Sequence, residues 1–175
     1  MMHNNTLLNR YSKQLLISEY GAAFLMLMEG QWRCQNHMNI EYVSAGVILN
    51  SCGEVLIGCR SDNKMWEFPG GKRIDRESAS VALHREIKEE LNIPIYILKP
   101  ITNITDMSML NKFVEIRFLL CFCLDFSNIQ LSAHSQIMWV PYTELSQINN
   151  MYPVDAVVID NVIDQISKIM NQGDY

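Results

Sequence analysis

The stretch Trp66–Ile93, WEFPGGKRIDRESASVALHREIKEELNI, decides the fold. It opens on a rigid Pro69-Gly70-Gly71 and closes on REIKEE, residues 85–90, where charged side chains crowd together. Pro69 fixes its own φ, and a glycine pair lets main-chain carbonyls or amides approach a ligand closely. Residues 77–91, ESASVALHREIKEEL, are predicted to be helical, and Pro94 stops them. At about 100° per residue, Glu86, Glu89 and Glu90 share one face of such a helix. Leu83, Ile87 and Leu91 recur at four-residue spacing on an adjacent face and suit a core. Clustering the carboxylates is unfavourable, because like charges at these spacings repel by some tenths of a kcal/mol. Glu89 and Glu90 also lie near the helix C-terminus, where the dipole disfavours negative charge. Read alone, REIKEE is a solvated acidic face softened by Arg85 and Lys88, and Pro-Gly-Gly is a common turn. Together, at fixed spacing, they describe a cradle for a hard divalent cation and a phosphate. Mg²⁺ takes oxygen ligands, accepts carboxylates, and keeps waters that a phosphate can displace.

Outward from this stretch, YVSAGVILN, SCGE and VLIGCR read as a hairpin over residues 42–60, with SDNKM (61–65) as a polar loop. After the helix, IYILKPITNIT and KFVEIRFLLCFCLDF read as two strands joined around MSMLN, and IMWVPY as a short strand. TELSQI reads as a helical turn or two. PVDAVVIDNVIDQISKIMNQ reads as a closing amphipathic helix with Pro153 in its first turn. Its apolar stripe is Val154, Val158, Ile159, Val162, Ile166 and Ile169. Strands and helices mix without strict alternation, so an α/β fold with a mixed sheet is expected. Residues 1–40 differ in texture. LLNRYSKQLLISEYGAAFLMLMEG has roughly helical apolar spacing, and the segment is expected to be a helical N-terminal extension without site chemistry.

The 175 residues favour one main domain, and 49% hydrophobic content supplies a sizeable core. Fourteen basic against nineteen acidic residues give a net charge of −5, which offers no broad electrostatic footprint for a nucleic-acid polymer. AAFLMLM is far too short to span a bilayer, no signal peptide is read, and no membrane partner is expected. The five cysteines have no zinc-site spacing; Cys121 and Cys123 would point to the same face of a strand. They read as buried thiols in a reduced, cytoplasmic setting.

The run resembles the Nudix box, G-x5-E-x7-R-E-U-x-E-E-x-G-U with U a bulky aliphatic, at Gly71, Glu77, Arg85, Glu86, Ile87, Glu89, Glu90 and Ile93. Asn92 stands where the pattern has glycine, at a helix C-cap that asparagine tolerates in a left-handed conformation. WEFPGGK, IMWVPYTEL and YPVDAVVID look like the MutT-type branch, and the resemblance covers about residues 41–170. It implies an α/β/α sandwich around a mixed sheet, with residues 41–175 as the Nudix domain and 1–40 without counterpart. It implies that Glu86, Glu89 and Glu90, with the Gly70 carbonyl, bind Mg²⁺ or Mn²⁺, that Glu77 and Arg85 pair to brace the loop, and that Glu86 is the base. Arg60 and Lys72 would contact phosphates, Phe68 would lie beside the base, and Asp155 would read the base edge. Asp155 equally fits a helix N-terminus; if ionised it can only accept hydrogen bonds.

The implied reaction is metal-dependent hydrolysis of a nucleoside triphosphate to a monophosphate and pyrophosphate, with oxidised dGTP (8-oxo-dGTP) as leading substrate. CTP or a modified dCTP, another diphosphate such as a nucleotide sugar, and non-catalytic nucleotide binding are the alternatives. The loop LSAHSQIMWV, with Ala133, His134 and Gln136, lacks the carboxylate that relatives often carry there, so a metal site supported from that loop is not expected. The chain is expected to be a monomer or a homodimer.

Overall fold

The computed structural model describes residues 40–109 and 112–172, so the expected N-terminal extension lies, apart from Ile40, outside the described residues. Strand β1 (Ile40–Leu49) and β2 (Glu54–Arg60) form the expected hairpin. Its turn uses Gly53 at φ +76°, in the left-handed region glycine favours. The Asn50 side chain closes the turn by accepting from the backbone of Cys52 and Glu54 at 2.9 and 3.0 Å. Two short strands follow, β3 (Trp66–Glu67) and β4 (Gly70–Lys72). They correct the reading of the glycine segment as a plain loop. Each is too short to show a two-residue alternation, and Pro-Gly-Gly masks strand propensity. Helix α1 (Ala79–Leu91) leads to β5 (Tyr96–Met109), β6 (Lys112–Phe122) and β7 (His134–Pro141). A 3₁₀ turn (Tyr142–Gln147) and helix α2 (Pro153–Gln172) close the chain.

Among the described residues seven strands make one mixed sheet. β1 is central. It pairs in parallel with β6 over its whole length, from Ile40 opposite Phe113 to Leu49 opposite Phe122. On its other edge β1 forks: Ile48 and Leu49 pair with β2, whereas Val43 to Ala45 pair with β4. β2 pairs with β3 and β7, and β6 with β5, all antiparallel. Pro100 sits in β5, an edge strand, beside shifts of register where the ladder can spare a donor.

The strands alternate between two cores. Val47, Leu49, Val55, Ile57, Phe118 and Leu120 face α2, against Val154, Val158, Val162 and Ile166. Ile48, Leu56, Leu119, Cys121 and Cys123 face α1, against Leu83, Ile87 and Leu91. This is the expected α/β/α layering, and strands buried on both faces explain the long apolar run of β6. Cys121 and Cys123 share a face as spacing required, and burial raises the Cys121 thiol to about 12. Cys52 departs from the expectation of buried thiols: it is exposed in the β1–β2 turn.

Candidate active site

Helix α1 is fixed at both ends by its own sequence. Ser78 caps the N-terminus, its hydroxyl accepting from Val81 N at 3.2 Å. Asn92 ends it at φ 54°, ψ 33°, and donates its N–H to Ile87 and Lys88 carbonyls. The helix starts two residues later than predicted, which frees Glu77 to face the loop. Glu77 accepts from Ile74 N at 2.9 Å and holds Arg85 in a two-pronged ion pair, at 2.9 Å from Nε and 2.8 Å from Nη2. Arg85 beside it keeps this carboxyl down at about 2, so the pair persists across the working pH range. Arg85 also donates to Lys72 O at 2.8 Å, tying α1 to β4. Its Nη1 reaches Glu86 Oε1 at 2.8 Å and Glu89 Oε2 at 3.4 Å.

The glycines are positional. A Cβ on Gly70 would collide with Ser44 O of β1, and a Cβ on Gly71 would fall on the Glu86 carboxylate. β4 can therefore lie against β1 on one side and admit Glu86 on the other only without side chains. Glu90 is partly buried, with the Gly70 N–H directed at it. Burial, with Glu86 and Glu67 nearby, pushes its pKa up to about 7, partly offset by His134. Its Oε2 has no hydrogen-bond partner. Among the described residues, no three His, Cys, Asp or Glu side chains converge at metal-ligand spacing. The carboxylates nevertheless fit a hard divalent cation by chemistry: an oxygen donor set of like charge, one oxygen buried without a partner, beside a glycine strand.

A cavity of about 400 Å³ opens next to these residues. Val43, Ala45, Ile116 and Phe118 form its apolar floor, and Arg60, Glu67, Gly70, Lys72 and Asp155 its polar rim. Both predicted phosphate contacts are there, but each cation already holds a carboxylate: Lys72 holds Glu41 at 2.6 Å, and Arg60 holds Asp62 at 2.8 Å and Glu67 at 3.2 Å. Phe68 is buried at the cavity wall, edge-on to Phe118 at 6.2 Å between ring centres. Asp155 is 6% exposed, and its Oδ1 accepts from Phe68 N at 3.2 Å. It thus braces the strap that carries Phe68. Burial, above all, raises the Asp155 pKa to about 8, partly offset by the Phe68 N–H, which favours the anion.

Two residues here were not singled out from the sequence. Glu67 is mostly buried and pairs with both Arg60 and His134. His134, passed over as a loop residue without a carboxylate, opens β7 and is buried. The available signal was Gly58, a glycine in a central strand, since such a gap marks a close approach.

Residues 41–162 match the NUDIX domain family. An 8-oxo-dGTP diphosphatase of Proteus vulgaris is 40% identical over 58 residues, covering 31% of this chain and 52% of that protein. An RNA pyrophosphohydrolase of Ectopseudomonas mendocina is 43% identical over 51 residues, 29% of this chain and 32% of that protein. The chain thus spans about half, or less, of the length of these curated relatives. Among solved structures, the E. coli ORF135 protein superposes with a TM-score of 0.64 at 25% identity, covering 75% of this chain and 94% of that one. The MutT protein of Methanosarcina mazei Go1 shares the fold with a TM-score of 0.60 at 20% identity, covering 78% and 99%.

Proposed function

Because this chain belongs to the NUDIX domain family, we propose that it is a metal-dependent nucleoside triphosphate pyrophosphohydrolase, with 8-oxo-dGTP as leading substrate. The observation that carries the reading is the joining of the two halves of the box: Arg85 ties Glu77, Glu86 and the β4 backbone together beside a cavity of nucleotide size. In this reading Glu86, Glu89 and Glu90, with the Gly70 carbonyl, hold Mg²⁺ or Mn²⁺. Bound there, the cation neutralises phosphate charge and makes its water more acidic.

The protein's own groups do the rest. Arg85 holds Glu86 Oε1 and leaves Oε2 beside Gly71, where it takes the proton from the attacking water. The water oxygen bonds to phosphorus as the P–O bond to pyrophosphate breaks, and the pyrophosphate leaves with the electron pair. Lys72 at the rim receives the phosphates by exchanging Glu41 for them, and Arg60 meets them while held by Asp62 and Glu67. The apolar floor and Phe68 take the base, and Asp155 offers its edge both an acceptor and, while protonated, a donor.

The substrate class draws support from the 8-oxo-dGTP diphosphatase of Proteus vulgaris. A triphosphate at an RNA 5′ end is the second reading, favoured by the matched RNA pyrophosphohydrolase. The net charge of −5 favours the free nucleotide. No described helix is long and apolar enough to cross a membrane, and the proposed setting is cytoplasmic nucleotide-pool sanitation. The test is pyrophosphate release, with and without Mg²⁺, from a panel of 8-oxo-dGTP, the natural dNTPs and NTPs, modified dCTP, nucleotide sugars and 5′-triphosphorylated RNA. No metal-dependent cleavage of any member would overturn the reading, and preference for the RNA would replace the free nucleotide.

A further inference from the structure

We propose that His134 and Glu67 form a buried imidazole–carboxylate pair whose task is to position Arg60 for the substrate's polyphosphate. The inference rests on the triphosphate reading and deepens it. His134 Nε2 lies 3.1 Å from Glu67 Oε1. A carboxylate oxygen only accepts, which assigns the ring proton to Nε2. Glu67 in turn receives Arg60 Nη1 on both oxygens, at 3.3 and 3.2 Å. The other edge of the guanidinium is held by Asp62, at 2.9 Å from Nε and 2.8 Å from Nη2. The planar fork is therefore clamped at both ends. Arg60, Asp62 and Glu67 line the cavity, whereas His134 lies behind them.

Two local costs accompany this arrangement. Gly58 gives up its side chain inside β2, because a Cβ there would overlap the His134 ring. The ring is 4% exposed, and its Nδ1 has no partner. An apolar residue would fill the same space without an orphaned nitrogen. What the histidine adds is one N–H aimed at Glu67. With one oxygen engaged by His134 and both by Arg60, Glu67 is committed to the clamp and kept out of the neighbouring carboxylate set. His134 acts through Glu67 and is a positioning residue.

The test compares His134→Ala, His134→Gln and Glu67→Gln with the wild type in the full chain. Two readouts are taken: KM and kcat on the best triphosphate of the panel, and calorimetric binding of inorganic tripolyphosphate with metal chelated. His134→Ala is expected to raise KM about tenfold and leave kcat within about threefold, because Arg60 holds ground and transition states alike. Tripolyphosphate affinity should fall in parallel. The glutamine amide can donate to Glu67, so His134→Gln should recover most of both losses. Glu67→Gln, which keeps the shape but removes the charge on Arg60 Nη1, should resemble His134→Ala. If His134→Ala does not fold, the comparison of His134→Gln with Glu67→Gln decides: near-wild-type binding in the first and weakened binding in the second supports the clamp. Unchanged KM and tripolyphosphate affinity in all folded variants, or a glutamine variant as impaired as Glu67→Gln, overturns it. The calorimetry stands whether or not the wild type cleaves a triphosphate, so failure of the clamp and failure of the proposed activity are told apart.

Discussion

Replacing Asp155 by asparagine should abolish a pH dependence of stability. Asp155 is 6% exposed, and burial is the main reason its pKa rises from an ordinary 3.8 to about 8. The sign follows from linkage. Between those two values the folded protein keeps a proton that the unfolded chain has lost, so stability is full at low pH and declines as pH rises. At about 1.4 kcal/mol per pH unit the ceiling is on the order of 6 kcal/mol. The Phe68 N–H favours the anion, and water entry on ionisation relieves it further, so a loss of about 2–3 kcal/mol between pH 5 and pH 8 is expected. Asparagine mimics the protonated acid in shape, can accept from Phe68 N, and does not titrate. The assay is urea unfolding of both proteins at several pH values in chelator, with m compared to confirm that only stability moves. Glu90, raised to about 7, adds a slope of the same sign to both proteins, so the difference between the curves isolates Asp155. Parallel curves would refute the argument and mean that Asp155 is ionised in the folded state.

Other outcomes can be stated directly. Gly71→Ala places a methyl group on the Glu86 carboxylate, and should lower kcat by at least about tenfold, more than a disturbance of β4 alone would; wild-type kcat would show that Glu86 has no part in the reaction. Glu89→Gln should nearly abolish metal-dependent turnover while leaving the circular dichroism spectrum and unfolding midpoint close to wild type, since this side chain is 59% exposed. Asp155→Ala, which removes both donor and acceptor from the cavity, should flatten discrimination between bases by about 1–3 kcal/mol in kcat/KM, whereas Asp155→Asn should keep much of it. Asn92→Ala forces a Cβ-bearing residue without a compensating side chain into φ 54° and should cost about 1 kcal/mol by urea unfolding; Asn92→Gly should be near neutral.

The parts legible in the sequence were those set by local periodicity and covalent geometry. Four-residue spacing placed Leu83, Ile87 and Leu91 in a core, and the two-residue period put Cys121 and Cys123 on one face, because those relations hold within a single element. The left-handed cap at Asn92 was legible for the same reason. The Arg85–Glu77 pair was legible only through the resemblance. What escaped depends on contacts between elements distant in the chain. β3 and β4 exist because β2 and β1 offer them edges. The His134–Glu67 contact forms only when β7 docks on β2, and the raised pKa of Asp155 reflects the surroundings of one carboxyl, which no spacing rule reports. Arg60 and Lys72 both line the cavity, but their existing partners were invisible in the sequence, since Glu41 reaches Lys72 across the β1–β4 pairing.

The parallel register of β1 with β6 also bears on how the chain becomes a protein. The first described strand finds its ladder partner only after β2 to β5 and α1 have been made, because Ile40 pairs with Phe113 and Leu49 with Phe122. Until β6 emerges during synthesis, the apolar edge of β1 is unclosed, while the β1–β2 turn and α1 can form from neighbours in sequence. Closure of so long a loop is slow, so refolding should be governed by this pairing, on the millisecond-to-second scale of topologies rich in distant contacts. A destabilising change at the β1–β6 seam, such as Val47→Ala, should then slow folding if the seam is formed in the transition state, and speed unfolding if it closes afterwards.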